Sequence, residues 1–350
     1  MRESKLSPAA ALIRTGEWWD HKLVPILCGF YASAMLLGRP ITGLWGSGLL
    51  LLLSLVPGAA YVSVVNDLTD IESDAAAGKP NRMAARSRRV RAAALAVPLA
   101  AGGVFFWLWR GQPLLLVLYG AAWIAFTLYS VPPFRLKARG LAGVVADASG
   151  AHLFPTLLAA ATPFVASGAR IDPLWLWTVA AWSFAYGFRG NLWHQLLDRE
   201  GDRASGVATF AAGRRSGSAA ALAVFAFAIE AAAMAAILWR LGSALPVLAL
   251  AAYGLLVWRR AYLWGIRPVI VQPKPPYQIV LHEYYDVFLP LSLLCASAVR
   301  HPADALVPAA HLLLFHRRAL ETWIDSWRLI NRPLLQRLRI VGPPAHRHNR

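Results

Sequence analysis

Residues 43–74 read GLWGSGLLLLLSLVPGAAYVSVVNDLTDIESD, an apolar run that ends in a cluster of acidic residues. The apolar part, residues 43–65, is long enough for a helix to cross the hydrocarbon core of a bilayer, which takes about 20 residues. A strand would not use so long a run without alternation, whereas a helix satisfies its own backbone hydrogen bonds in lipid. This stretch therefore predicts a transmembrane helix that carries carboxylates at one end.

The rest of the chain repeats the pattern of long apolar runs. Of its 350 residues, 57% are hydrophobic and only 15% are charged, whereas soluble domains carry about a quarter charged residues. The predicted spans lie near residues 23–38, 43–65, 92–109, 113–131, 141–166, 173–190, 217–239, 243–258 and 281–299. The sequence thus predicts an all-α, polytopic membrane protein. Its expected parts are an N-terminal cytoplasmic segment (1–22), a transmembrane bundle (23–300), and a short apolar segment with a basic C-terminal tail (301–350).

The distribution of basic residues predicts the orientation of the bundle. If the N-terminus is cytoplasmic and the spans alternate, 30 of the 35 lysines and arginines lie on the inner side. Each outer loop then holds one arginine: Arg39, Arg110, Arg170, Arg240 and Arg300. Such an excess is what the positive-inside rule describes. We therefore expect a multi-pass protein of the inner or plasma membrane whose N-terminus and acidic clusters face the cytoplasm.

The same rule bears on a short tenth apolar run, residues 303–316. If this run did not cross, the eight basic residues of the tail would lie outside, and the split would fall to 22 against 13. A tenth crossing or a re-entrant segment is therefore expected. The net charge of +17 does not indicate nucleic-acid binding, since no basic stripe with interleaved aromatics occurs outside the membrane loops. Anionic lipid of the inner leaflet explains the basic tail.

Seven of the 18 acidic residues fall in two short stretches, each at the predicted cytoplasmic end of a span. The aspartates concerned are Asp67, Asp70 and Asp74 after the second span, and Asp198 and Asp202 after the sixth. Their spacings of three or four residues place each set on one face of a helix. Like charges on one helix face repel each other, so a cation is expected to offset them.

Mg²⁺ is the cation that this arrangement favours. It takes oxygen ligands and often bridges one or two carboxylates to substrate phosphates. Two acid-rich helix ends that face each other would therefore form a clamp for a diphosphate and Mg²⁺. The alternative is that the acids solvate loop ends and pair with Arg82, Arg199 and Arg203.

Three motifs in this region resemble those of the UbiA-type intramembrane prenyltransferases. The first, N-D-x-x-D-x-x-x-D, is met by Asn66, Asp67, Asp70 and Asp74; the second, D-x-x-x-D followed by G and T, is met by Asp198, Asp202, Gly206 and Thr209; the third, Y-S-x-P-P-x-R-L-K, is met by residues 129–137. All three occur in the order and on the membrane side that the resemblance implies. The motifs cover residues from about 60 to 215, and the helical pattern extends the resemblance to about residue 300.

The resemblance implies a bundle of nine helices around a cavity open to lipid, with helical caps over the cytoplasmic loops. It also implies that Mg²⁺ holds the diphosphate of an allylic prenyl donor and is ligated by Asp67, Asp70, Asp74, Asp198 and Asp202. The cationic side chains expected to neutralise the departing diphosphate are Lys79, Arg82, Arg135 and Lys137. Further side chains expected to contact substrate are those of Asn66, Tyr129, His194 and Gln195. His194 and Gln195 occupy positions at which some aromatic prenyltransferases have an acidic residue or asparagine.

Other polar residues in apolar surroundings are further candidates. Asp147, about two turns inside the fifth span, is expected either to line the substrate pocket or to form a buried hydrogen bond. His282, Glu283 and Asp286, at the inner end of the ninth span, could orient or deprotonate an acceptor, or form an interfacial cap. Glu230, in the seventh span, is expected to be protonated or paired with a helix neighbour.

Three functions fit these features. The first is Mg²⁺-dependent transfer of a prenyl or polyprenyl group to an aromatic or other small acceptor, with release of pyrophosphate. The second is a terpene cyclase of the same fold, in which a double bond of the donor quenches the cation and no acceptor is needed. The third is an ion-coupled transporter that uses the acids as an ion site and releases no pyrophosphate. Basic residues interspersed among the acids favour a diphosphate over a bare cation.

Overall fold

The computed structural model describes residues 15–76, 78–204, 208–213, 216–272 and 274–337 as a predominantly helical bundle. The helices are α1 (Val24–Leu36), α2 (Trp45–Thr69), α3 (Ile71–Ala76), α4 (Arg88–Leu108), α5 (Pro113–Ser130), α6 (Leu141–Ser167), α7 (Pro173–Leu197), α8 (Arg199–Ala204), α9 (Phe210–Gly213), α10 (Ser216–Leu241), α11 (Ala244–Trp264), α12 (Leu289–Arg300), α13 (Val307–Leu314) and α14 (His316–Arg337). Shorter helical turns lie at Thr15–Trp18, Trp19–Leu23, Thr42–Leu44, Leu136–Ala138, Tyr284–Phe288 and Pro302–Asp304. Two parallel strands, β1 (Arg267–Val269) and β2 (Tyr277–Ile279), lie between α11 and α12. Of the predicted terminal parts, residues 1–14 and 338–350 lie outside the described residues.

Six helical segments of the described chain are long and apolar enough to cross a membrane. They are Thr42–Thr69, Arg88–Leu108, Pro113–Ser130, Leu141–Ser167, Gly217–Leu241 and Ala244–Trp264, and they coincide with the second to fifth, seventh and eighth predicted spans. The other three predicted spans are also helical, as α1, α7 and α12. However, α1 and α12 are short, and α7 carries polar side chains such as Arg189 and Asn191, which the bundle buries. The prediction of a helical membrane fold is confirmed, while the number of crossings stays a prediction.

The central helix of the bundle is α7, which packs against α10 and α6. The side of α10 that meets α7 consists of small residues, with Ala219, Ala223 and Ala226 buried together with Phe188 and Leu192. Small side chains at such spacings let two helix backbones approach closely, a common means of association in membranes. On the other side of the bundle, α1 packs against α6 and α12. The acidic end of α7 is therefore carried by a closely packed helix pair.

A buried ion pair fastens α7 to α10. Both side chains are fully buried, with Arg189 Nε 2.7 Å from Glu230 Oε2 and Arg189 Nη2 2.7 Å from Glu230 Oε1. The same guanidinium donates to the carbonyl oxygens of Ile270 (3.1 Å) and Val280 (3.0 Å), which adjoin the two strands. A bidentate pair with further hydrogen bonds can offset the desolvation of both charges. Glu230 was expected to be protonated or paired with a helix neighbour. The structure shows the pairing, and the partner comes from another helix.

The predicted tenth segment follows α1 along its length. Asp304 accepts hydrogen bonds of 2.8 Å from the backbone nitrogens of Ile41 and Thr42, in the connection after α1. Further along, the His311 ring contacts Tyr31 of α1, at 3.2 Å between His311 Nδ1 and the Tyr31 hydroxyl. Finally, Phe315 and Leu314 contact Trp19, in the turn before α1. Residues 302–315 thus run between the two ends of α1, which is the path that a tenth crossing requires.

We expect Glu230→Gln to lower the free energy of unfolding by about 3–5 kcal/mol, because it leaves Arg189 buried without its counter-charge. The measurement is unfolding of the purified protein in detergent, followed by helical circular dichroism. As a control, Glu321→Gln removes one partner of an exposed pair with Arg318 and should cost less than about 1 kcal/mol. Equal stability of Glu230→Gln and the parent protein would contradict the role assigned to this pair.

Candidate active site

The first acidic cluster is organised by the loop that follows α3. The Asp67 side chain is almost fully buried at the end of α2, with Arg82 Nη1 3.7 Å from its Oδ2. Asn81 joins the cluster through its Nδ2, which donates to the backbone oxygen of Asp67 and to Asp74 Oδ2, both at 2.8 Å. Arg82 therefore lies beside the first acidic cluster, as predicted. The sequence did not predict a role for Asn81 in this cluster. Its place between two basic residues of the loop, Lys79 and Arg82, is a signal that could have indicated one.

The carboxylate of Asp70 is held by two cations from the loop between α5 and α6. Arg135 Nη2 lies 3.0 Å from Asp70 Oδ1, and Lys137 Nζ lies 2.6 Å from the same carboxylate. Burial lowers the pKa of Lys137, and the charge of Asp70 opposes this shift. At the end of α5, the Ser130 hydroxyl donates to Asn66 Oδ1. The loop of the third motif is thus bound directly to the first motif.

The second acidic cluster lies where α7 ends and α8 begins. Burial raises the pKa of Asp202, while a hydrogen bond from Thr209 Oγ1 (3.0 Å) and the charge of Lys79 oppose this shift. Gln195 is buried, its Nε2 donates to Asn191 Oδ1 (2.8 Å), and its Oε1 accepts from the backbone of Ala211 (3.2 Å). The amide of Gln195 therefore fastens α9 to α7, and its contact with a substrate stays a prediction. Gly206 of the second motif lies outside the described residues.

The two clusters converge on one side of the bundle. Lys79 extends from the first cluster to the second, where its Nζ lies 3.6 Å from the position that a β-carbon on Gly201 would occupy. The loops behind the clusters also pair, through a β-bridge between Gly140 and Thr209. Tyr129, at the end of α5, lies within electrostatic reach of acids from both clusters, Asp70 and Asp202. The acidic ends of α2 and α7 therefore lie close together, as a clamp requires.

Near the two clusters, several side chains are surrounded by protein yet remain partly or fully exposed; they include Tyr129, Asp147, His152, His194 and His282. Exposed surface of this kind inside the bundle indicates a cavity. Asp147 interacts electrostatically with both Tyr129 and His194, so the pocket-lining alternative for Asp147 is the one that the structure favours.

Aromatic rings form much of the cavity wall. The Tyr186 ring lies between two imidazoles, with ring centroids 5.0 Å from His152 and 5.2 Å from His282. Trp193 contacts His282 and His194, with ring centroids at 5.9 and 4.7 Å. Sequence reasoning missed His152 and Tyr186, because residues on two different helices meet here without a shared motif.

The His282 ring lies beside the aromatic side chains as a neutral imidazole. Its Nε2 atom is buried and has no hydrogen-bond partner within the described residues. The guanidinium of Arg189 lies within electrostatic reach, and this positive charge disfavours a second one on the imidazole. Burial of the ring acts in the same direction, so the imidazole is uncharged.

The two acids after His282 serve the protein scaffold. Glu283 accepts hydrogen bonds from both Arg260 and Thr322, which satisfy its buried carboxylate. Asp286 lies 3.5 Å from His21 and 3.6 Å from Arg318, atom to atom. The contacts of both acids therefore favour the interfacial cap over a direct action on an acceptor. His282 alone of this group faces the cavity.

The donor set suits Mg²⁺ that is shared with a substrate. Within the described residues, no group of three or more acidic, histidine or cysteine side chains is close enough to hold a metal alone. A protein cage is not required, since Mg²⁺ is usually bound by one or two carboxylates together with phosphate oxygens and water. Asp70 and Asp202, one from each cluster, provide such carboxylates, and Lys79 lies between the two clusters.

Comparisons with known proteins agree with this architecture. The UbiA prenyltransferase family model matches residues 23–268. Lycopene elongase/hydratase of Halobacterium salinarum is 30% identical over 273 residues, covering 71% of this chain and 87% of that protein. A solved structure of a UbiA homolog from Archaeoglobus fulgidus covers 89% of this chain and all of its own, with a TM-score of 0.52 and 18% identity. A second structure of that homolog, bound to GPP and Mg²⁺, has a TM-score of 0.49 and 15% identity.

We expect cysteines introduced by Lys79→Cys and Gly201→Cys to be joined by a short bis-methanethiosulfonate reagent, because the two side-chain positions are neighbours. The exposed Cys295 is replaced by serine, and the buried Cys28 is retained. Mass spectrometry of the linked peptides provides the measurement. The control pair is Lys79→Cys, in the loop before α4, with Arg110→Cys, just after the other end of α4, and it should not be linked. If both pairs are linked equally, or neither is, the convergence of the clusters is wrong.

Proposed function

The chain belongs to the UbiA prenyltransferase family, and we propose that it transfers the prenyl group of an allylic prenyl diphosphate to an apolar acceptor within the membrane. The observation that carries this proposal is the convergence of the two acidic clusters across Tyr129, with Lys79 between them. A transport site for a bare cation would not need the basic residues that surround these acids. A diphosphate with its metal ion needs both kinds of charge.

The acids of both clusters would hold Mg²⁺ and, through it, the donor. The residues proposed as metal ligands are Asp67, Asp70, Asp74, Asp198 and Asp202. When bound, Mg²⁺ neutralises the diphosphate and stabilises the charge that develops as this group leaves. The UbiA homolog from Archaeoglobus fulgidus has been solved with GPP and Mg²⁺ bound, which is a ligand pair of this kind.

The basic side chains of the site act on the leaving group. Arg135 and Lys137 are held at the rim by Asp70, and Lys79 and Arg82 approach from the opposite loop. As the bond between the allylic carbon and the diphosphate oxygen breaks, these fixed cations meet the developing negative charge. Groups that are already oriented toward such charge account for much of the rate in enzymes.

The prenyl carbon atoms would lie deeper, against the aromatic wall. The faces of Tyr186 and Trp193 can stabilise an allylic cation through cation–π contacts, and Asp147 provides a negative charge near Tyr129.

We propose a carbon–carbon double bond of a polyene as the acceptor. The relative from Halobacterium salinarum is named for lycopene, and the cavity wall presents aromatic rings and a neutral imidazole. Attack of the double bond on the allylic carbon forms the new carbon–carbon bond and leaves a cation on the acceptor. Loss of a proton from this cation to the neutral His282 imidazole, or uptake of water, completes the reaction. A phenolic acceptor remains the second candidate, since the same imidazole could take a phenolic proton.

We expect Asp70→Asn and Asp198→Asn each to lower pyrophosphate release by about 100-fold or more, because each removes charge that holds the metal and the donor. The assay uses purified protein with Mg²⁺, dimethylallyl or geranyl diphosphate, and polyene in vesicles. Asp172→Asn is the control, since Asp172 pairs with Arg240 and caps α7 at the opposite end, and should leave the rate unchanged. Full activity in either cluster variant refutes a two-sided clamp.

The acceptor is identified by the products. We expect mass spectrometry to show prenylated polyene, and no prenylated product when a phenol such as 4-hydroxybenzoate replaces it. His282→Gln should lower product formation by about 100-fold, since proton transfer by a positioned group contributes at least this much. His301→Gln, after α12, is the matched control. Pyrophosphate release that needs no acceptor would indicate a cyclase instead, and product from the phenol alone would reject the polyene.

A further inference from the structure

The last described helix, α14, has a side that binds firmly to the rest of the protein. Arg318 lies 3.6 Å from Asp286, and Thr322 donates to Glu283, both in the turn before α12. Asp325 lies 3.3 Å from Arg260, near the end of α11. One turn further, the carbonyl oxygen of Leu329 accepts from Arg259 at 3.0 Å. These contacts recur every three to four residues, so they fix the rotation of the helix about its own axis.

With its rotation fixed, α14 presents a second apolar stripe away from the protein. The stripe consists of Leu320, Trp323, Trp327 and Ile330, whose exposed fractions are 42%, 71%, 51% and 68%. Their spacing of three or four residues places them on one face. Because the contacts on the other side hold the helix, this stripe cannot turn inward to be buried. Two largely exposed tryptophans on one helix are typical of the boundary between lipid headgroups and acyl chains.

A third face of α14 is charged, and the chain that follows is basic. Arg317, Glu321 and Arg328 lie on this exposed face. Residues 316–350 contain eight arginines and two acidic residues in the sequence. Of the two acids, Asp325 is paired with Arg260 and Glu321 with Arg318. The surface around the apolar stripe therefore carries excess positive charge, which is complementary to anionic lipid headgroups.

The position of α14 in the fold agrees with a membrane surface on the side of the acidic clusters. The helix begins beside Asp20, which lies within electrostatic reach of His316 and Arg317. Two residues further along the chain, Lys22 lies within reach of His194, which itself is close to Asp198 of the second cluster. The start of α14 is therefore at the same end of the bundle as the donor site.

We propose that α14 is an interfacial helix that binds the anionic bilayer surface on the side of the acidic clusters. Its apolar stripe would lie at the boundary of headgroups and acyl chains, and its arginines would contact the headgroups. The opposite side would meanwhile hold the turn that presents His282 to the cavity. The proposal does not depend on which reaction the site performs, and its experiment measures no activity.

The test places nitroxide labels on two adjacent residues of α14, by Trp327→Cys and Arg328→Cys in the full chain with Cys295→Ser. The protein is reconstituted in vesicles of phosphatidylcholine and phosphatidylglycerol, and collisions with oxygen and with a water-soluble nickel chelate are measured. We expect the label at position 327 to favour oxygen by at least several-fold over the label at position 328. Ile330→Cys repeats the measurement if Trp327→Cys does not fold, and Trp239→Cys on the exposed face of α10 is the reference for lipid.

Three outcomes of the labelling experiment decide whether α14 binds the anionic bilayer surface. A strong preference for oxygen at position 327 that weakens in vesicles of phosphatidylcholine alone supports binding to an anionic surface. Equal access of the nickel chelate to both positions overturns the proposal. Shielding at position 327 that disappears when the protein is diluted in lipid also overturns it, in favour of contact with a second copy of the chain.

Discussion

The balance of charge between two sets of carboxylates and the basic loops around them is the constraint on which the site depends. Aspartates from the ends of α2 and α7 share one end of the bundle, where like charges repel each other. Arg135 and Lys137 offset Asp70, and Lys79 reaches toward Asp202. These cations are also the groups that a departing diphosphate would meet. The interactions that stabilise the cluster are thus the ones that would stabilise the leaving group.

The helix bundle provides this arrangement by fixing α7 through buried polar contacts. The guanidinium of Arg189 joins α7 to α10 and also to the backbone beside β1 and β2. The connection that follows β2 presents His282 to the cavity, and Glu283 fastens the same turn to α11 and α14. Consequently, these buried polar contacts hold both α7, which carries the second acidic cluster at its end, and the turn that carries His282.

Much of this could be predicted from the sequence, because local signals decide it. Long apolar runs indicated the helices, and the spacing of aspartates indicated which ones share a face. What the sequence could not reveal depends on contacts between distant parts of the chain. The pairing of Arg189 with Glu230 and the meeting of His152, Tyr186 and His282 have no local pattern. Gln195 illustrates the opposite case, since its place in a motif suggested substrate contact, whereas its amide is used to hold α9.

The most direct test of the central claim uses Mn²⁺ in place of Mg²⁺, together with an unreactive thio analogue of the prenyl diphosphate. Pulsed electron paramagnetic resonance on the purified protein detects phosphorus nuclei that are close to the bound manganese. A two-sided clamp predicts a phosphorus coupling in the parent protein that is lost in Asp70→Asn and also in Asp198→Asn. A coupling that persists unchanged in either variant, or manganese that binds with no phosphorus nearby, would contradict it.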